Sequence, residues 1–141
     1  MKTKICTTIE QSKKLMELGI DVNTADMFWG LNKTLVAYPY PYNEDRLATA
    51  DKTAIPAWSL SALMQLLPSD FTEEGKFGTF TYEIHIRKYR FTADIDVYQI
   101  AYGNYARTSD NWKDMINTGE KEELLDAAFK MIVWLKENNK I

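Results

Sequence analysis

Histidine occurs once in this 141-residue chain, at His85, and cysteine once, at Cys6. A single imidazole excludes a two-histidine metal site. A single thiol excludes an internal disulfide and a cysteine-built zinc or iron–sulfur centre. A Cys6/His85 nucleophile pair would require the start of the chain to lie beside the strand carrying His85, and no local signature puts it there. The plainer expectation is a solvent-facing strand histidine and a small buried thiol. Asp94 and Asp96 would share one side of a strand and could hold magnesium with a third ligand, but beside a chain reversal aspartates usually serve the turn. Gly75-Lys76-Phe77-Gly78 has the Gly-x-x-Gly spacing that clamps nucleotides between two helices. Here it stands before a strand, so it reads as a flexible lead-in to a hairpin. No nucleophile elbow, Walker loop or dinucleotide loop occurs. The expectation is a protein that is not an enzyme and has no catalytic, cofactor or metal site.

Two stretches are suited to binding. His85-Ile86-Arg87-Lys88-Tyr89-Arg90 concentrates three positive charges around an aromatic ring, so Arg87, Lys88 and Arg90 could meet phosphates while Tyr89 stacks on a base. Against this stand a net charge of −3 and neighbouring acids such as Glu83, Asp94 and Asp96, which would pair across strands. Eight tyrosines form the second signal. Tyr38-Pro39-Tyr40-Pro41-Tyr42 is a stiff extended segment of amphipathic rings, suited to docking on a partner or to lying across its own core. Tyr38, Tyr40 and Tyr42 are therefore candidate partner-binding residues. Trp134 joins them, because a helical wheel puts it with Val133 among charged residues instead of on the apolar arc.

Composition bounds the rest. Apolar residues make up 45% of the chain and aromatics 13%, enough for a core without metal or disulfide staples. A length of 141 residues implies one domain spanning 1–141. The first ten residues lack the apolar run of roughly seven or more that a signal peptide needs, and no 18-residue apolar stretch exists. With one cysteine, this places the protein in the cytoplasm, away from membranes.

The positioning elements follow from periodicity. Thr7-Thr8-Ile9-Glu10 has the capping-box pattern, with Thr7 as cap and Glu10 reaching back, and it opens a helix with Ile9, Leu15 and Met16 on its apolar side. That helix stops at Gly19-Ile20. Asn23 or Thr24 would cap a short helical piece reaching Trp29. Thr34–Tyr38 is a strand that must leave its ladder, or lie at its edge, once Pro39 and Pro41 remove donors. Asn43–Thr53 is loop. Ser59 caps a helix with Leu60, Leu63, Met64 and Leu67 at i, i+3, i+4 and i+7, which Pro68 ends.

From Thr79 the period becomes two. Phe80, Tyr82, Ile84 and Ile86 share one face, with Thr81, Glu83, His85 and Arg87 on the other. Val97–Tyr102 alternates likewise, so the pair predicts an antiparallel hairpin reversing within Tyr89–Asp94. A last helix from about Glu120 to Asn138 presents an apolar arc wide enough to cover a sheet. Leu63, Leu67, Leu124, Ala128, Ile132 and Leu135 are expected in one core.

Several segments look familiar: Ile9-Glu10-Gln11-Ser12-Lys13-Lys14-Leu15 with Leu18-Gly19, Asn23-Thr24-Ala25-Asp26-Met27, Pro56-Ala57-Trp58-Ser59-Leu60-Ser61-Ala62-Leu63, and Asp126-Ala127-Ala128-Phe129 with Met131 and Trp134-Leu135. Together they resemble a group of small uncharacterised proteins of gut-dwelling bacteria and their prophages or mobile elements. The resemblance implies a shared fold and carries no established activity onto these positions. The expected fold is α+β: a small antiparallel sheet, made of the long hairpin and a strand near Leu35, packed against about three helices with the C-terminal helix as main cover. The expected function is that of a small accessory protein acting by protein binding or self-association, with nucleic-acid binding through Arg87, Lys88, Tyr89 and Arg90 as the alternative.

Overall fold

The computed structural model describes residues 4–31, 37–41, 54–105 and 111–141. Along them run α1 (Ile9–Glu17), a 3-10 turn (Val22–Thr24), β1 (Met27–Leu31), β2 (Ala37–Pro41), β3 (Ile55–Ala57), α2 (Leu60–Leu66), β4 (Asp70–Gly75), β5 (Gly78–Arg90), β6 (Asp96–Tyr105), β7 (Trp112–Asn117) and α3 (Leu124–Glu137). The protein is α+β. Its strands form two antiparallel sheets, ordered β2-β1-β3 and β4-β5-β6-β7. Tertiary contacts gather the chain into two compact units, residues 1–66 and 67–141. Among the described residues no helix is long and apolar enough to cross a membrane.

In the first unit the helix start shifts by one residue from the expected Thr7. Thr8 is the N-cap, its hydroxyl accepting from the Gln11 N–H at 3.1 Å while the Gln11 side chain accepts from the Thr8 N–H at 3.0 Å. Thr7 is engaged elsewhere. Its hydroxyl accepts from the Trp58 N–H at 3.0 Å and lies 2.8 Å from the Ser12 hydroxyl, and its carbonyl accepts from the Trp29 indole at 2.9 Å. These bonds tie α1 to β1 and to the residue after β3, and they satisfy a fully buried polar side chain. Gly19, at φ +83, closes the helix: its N–H donates to Met16 and that of Ile20 to Leu15, with Ile20 folded back into the core. Leu15 is buried as expected, but Met16 is 41% exposed.

The helical piece expected to reach Trp29 is instead a 3-10 turn capped by Asp21, followed by the central strand β1. A run of Met27-Phe28-Trp29 between two pairing partners is strand by context, since tertiary pairing overrides weak local preference. The Tyr-Pro segment lies at the edge of this sheet, as the missing donors require. Pro39 and Pro41 share one side of β2, which pairs with β1 and has no neighbour on its other side among the described residues. Residues 34–36, Tyr42 and the expected loop Asn43–Thr53 lie outside the described residues. α2 follows Ser59, whose hydroxyl accepts from the Ala62 N–H and donates to Asp26. Leu63 is buried there.

The second unit is built on the predicted hairpin. β5 and β6 pair from Glu83↔Gly103 to Arg90↔Asp96, reversing through 91–95. Two flanking strands went unread, and they, not the strand near Leu35, complete this sheet. β4 carries one buried residue, Phe71, because it is an edge strand with little to cover it, and its Glu73 and Glu74 pair with Phe80 and Thr79 of β5. β7 pairs with β6 on the other side.

On one sheet face Ile100 and Tyr102 are fully buried where β6 meets α3, in which Ala128, Ile132 and Leu135 are fully buried and Leu124 only half-buried. α3 begins at Leu124 and not near Glu120, because Lys121 first bridges the backbone of Tyr98. Lys130 Nζ donates to the Thr118 carbonyl at 2.8 Å, and the buried Thr118 hydroxyl accepts from the Ile100 N–H, so helix and sheet are pinned together.

Candidate binding face

The sheet face turned away from α3 carries the most organised polar cluster among the described residues. Cross-strand register puts His85 and Arg87 of β5, Gly103 of β6, and Trp112 and Asp114 of β7 on this side. Strand alternation alone would send Asp114 and Asn117 to opposite faces. The register between β6 and β7 shifts after Tyr102, leaving Met115 as an extra residue, and this bulge turns Asp114 and Asn117 to the same face.

Asp114 is the hub. Arg87 grips its carboxylate with both terminal nitrogens, the Trp112 indole donates to it at 2.6 Å and the Asn117 amide at 3.2 Å. These donors, Arg87 first, hold the Asp114 carboxyl well below the usual range, at about 2. The Arg87 guanidinium is held charged in turn, chiefly by the same bond. The carboxylate accepts four hydrogen bonds, which leaves it organising its neighbours and not poised to move a proton. His85 stacks on Trp112 with ring centroids 3.5 Å apart and planes 10° from parallel, and Tyr105 meets the indole edge-on at 5.5 Å. Gly103 permits this crossing. A Cβ there would stand 2.1 Å from the Lys113 carbonyl oxygen and 2.8 Å from Trp112 Cζ2. The surface so built is flat, aromatic and polar at once: Tyr105 is 59% and Tyr89 45% exposed, while the Arg87 and Asp114 side chains are each under a quarter exposed.

The residues expected to bind nucleic acid are therefore dispersed. Arg87 and Lys88, being consecutive in a strand, point to opposite faces, and each meets an acid, Asp114 and Asp96 respectively. Asp96 was among the acids foreseen. Asp114 was not. Tyr89 and Arg90 are exposed near the hairpin end. Asp94 and Asp96 do not share a strand face: Asp94 lies in the reversal, bonded to the Thr92 hydroxyl, and Asp96 opens β6.

Trp134 is half-buried, not displayed on a polar surface. Its ring tilts against Phe71 at 6.2 Å, because the sheet edge reaches round to the helix side that the wheel marked as polar. Val133 is half-buried as well. Tyr38 and Tyr40 belong to β2, and Tyr42 lies outside the described residues. Cys6 is buried, its thiol pushed up to about 11 by desolvation and by Asp26. Among the described residues no group of three metal-ligating side chains converges. Trp112, Asp114 and Asn117 escaped the sequence reading, although Trp112-Lys113-Asp114 carries the alternation of a strand. The chain matches no family model, no curated protein and no solved structure.

Proposed function

We propose that this chain is a small interaction protein that acts by binding a protein partner or by self-association. The observation that carries the reading is the preorganised cluster on the outer sheet face. Tyrosine, tryptophan and arginine are the residue types that dominate binding hot spots, and here the indole and guanidinium are held in place by Asp114 before any partner arrives. The reading is non-catalytic and without a cofactor. A saturated carboxylate and a thiol raised to about 11 offer neither a general base nor a nucleophile at neutral pH. We place the protein in the cytoplasm, consistent with its single buried thiol, and in a mobile-element or phage context, on the resemblance of its helical segments. The nucleic-acid alternative ranks lower, because two of its three cations are already neutralised by acids.

Affinity capture from the native host with wild type and Tyr105→Ala tests the reading. A specific partner should be retained by wild type and lost by Tyr105→Ala, with the fold unchanged by circular dichroism. Equal recovery by both proteins would remove the sheet face from the proposal.

A further inference from the structure

The β4–β5 hairpin ends in a two-residue turn, Lys76-Phe77, closed by the pair Gly75↔Gly78. β6 joins β5 only from Glu83, so the tip is a two-stranded ribbon beyond the sheet. Neither Lys76 nor Phe77 has a positive φ; Gly78, at φ +131, takes the left-handed conformation the turn requires. The outcome is a phenylalanine 82% exposed, flanked by a lysine that has no ion pair among the described residues.

The first unit holds a cleft of about 220 Å3 lined by the apolar residues Val22, Ala25, Met27, Phe28, Ala54 and Pro56, with Asn23 as its one polar lining residue. A cavity of roughly 150 Å3 suffices to hold benzene, so a phenyl ring fits. Asp21, the chain neighbour of the lining residue Val22, is exposed and uses one carboxylate oxygen to cap the turn at Asn23.

We infer that Phe77 of one molecule seats in this cleft of a second copy, with Lys76 meeting Asp21. An apolar ring beside a cation matches an apolar cleft beside an acid in size, polarity and charge. Each molecule offers one knob and one cleft, so every contact joins the knob of one copy to the cleft of another. A contact of one ring and one ion pair is small and therefore weak, appearing at high protein concentration. The inference rests on the self-association half of the proposed function.

Sedimentation of Phe77→Ser, of Val22→Arg and of their equimolar mixture tests it. Both positions are exposed, so both variants should keep the wild-type circular dichroism spectrum. Wild type should show an average mass rising above 16.3 kDa with concentration, while each variant alone stays at 16.3 kDa. The mixture should regain a single dimer, the intact Phe77 of Val22→Arg filling the intact cleft of Phe77→Ser. Lys76→Glu should weaken association at low salt and matter less at high salt. If wild type associates and Phe77→Ser associates equally, this contact is wrong while self-association stands. If wild type stays at 16.3 kDa at every concentration, self-association itself fails. A mixture that remains monomeric while the variants behave as expected would overturn the pairing of Phe77 with the cleft.

Discussion

The two faces of the four-stranded sheet solve different problems with the same strands. Against α3, Ile100, Tyr102, Ala128, Ile132 and Leu135 are fully buried, and stability there comes from apolar area and close packing. The Tyr102 hydroxyl still finds the Pro68 carbonyl at 2.6 Å, and burial raises its pKa. On the opposite face the contacts are directional: a bidentate ion pair, an indole donor and a ring stack, all partly wet. Directional contacts in water add little stability but fix side-chain geometry. One face therefore holds the fold, and the other holds a shape.

The sharpest separation comes from truncating the helix side. Ile132→Ala should cost about 2 to 5 kcal/mol in urea unfolding, since a fully buried branched side chain leaves a cavity. A loss below about 0.5 kcal/mol would show that α3 does not cover this sheet. Gly103→Ala tests the opposite face through its backbone. A methyl 2.1 Å from a carbonyl must displace β7, at a cost of about 1 to 3 kcal/mol. As His85 is the only histidine, its ring protons give a unique NMR signal, shifted upfield by the Trp112 stack. That shift should vanish in Gly103→Ala and persist in Ile132→Ala.

Trp134→Ala, at a half-buried position against Phe71, should lose about 1 to 3 kcal/mol with no change in solution mass. A change of mass with the stability intact would return Trp134 to an interface.

Asp114→Asn should cost only about 1 kcal/mol, because solvent reaches both partners of the ion pair. Its pH signature is more telling. A carboxyl whose folded pKa lies below its unfolded value contributes stability that is present above about pH 4 and lost as pH falls toward 2. Wild type should show this acid limb and Asp114→Asn should flatten it. An identical limb in both would mean that Asp114 is not the hub. The smallest expected change in stability is that of Tyr105→Ala, under about 0.5 kcal/mol, with partner capture as its readout.

Period-two alternation in Phe80–Ile86 and Val97–Tyr102, the arc of Ala128, Ile132 and Leu135, the glycine stop at Gly19 and the edge position of the Tyr-Pro strand were all legible in the sequence. Each depends on local geometry, on which side chains share a face and on which backbone donors exist. What was not legible depends on partners distant along the chain. Thr7 rather than Thr8 looked like the cap until Trp58, 51 residues away, claimed its hydroxyl. β1 looked helical until β2 and β3 paired with it. β4 has Phe71 as its one bulky apolar residue, because edge strands bury little, and in β7 the bulge at Met115 interrupts the alternation that Trp112-Lys113-Asp114 begins. The cluster at Asp114 needed three strands, a one-residue bulge and a glycine crossing to bring Arg87, Trp112 and Asn117 to one carboxylate. Sequence by itself determined the local periodicities and their caps. Only the tertiary structure decided which residues share the sheet's outer face, since register and bulges are set by pairing energies that no single segment contains.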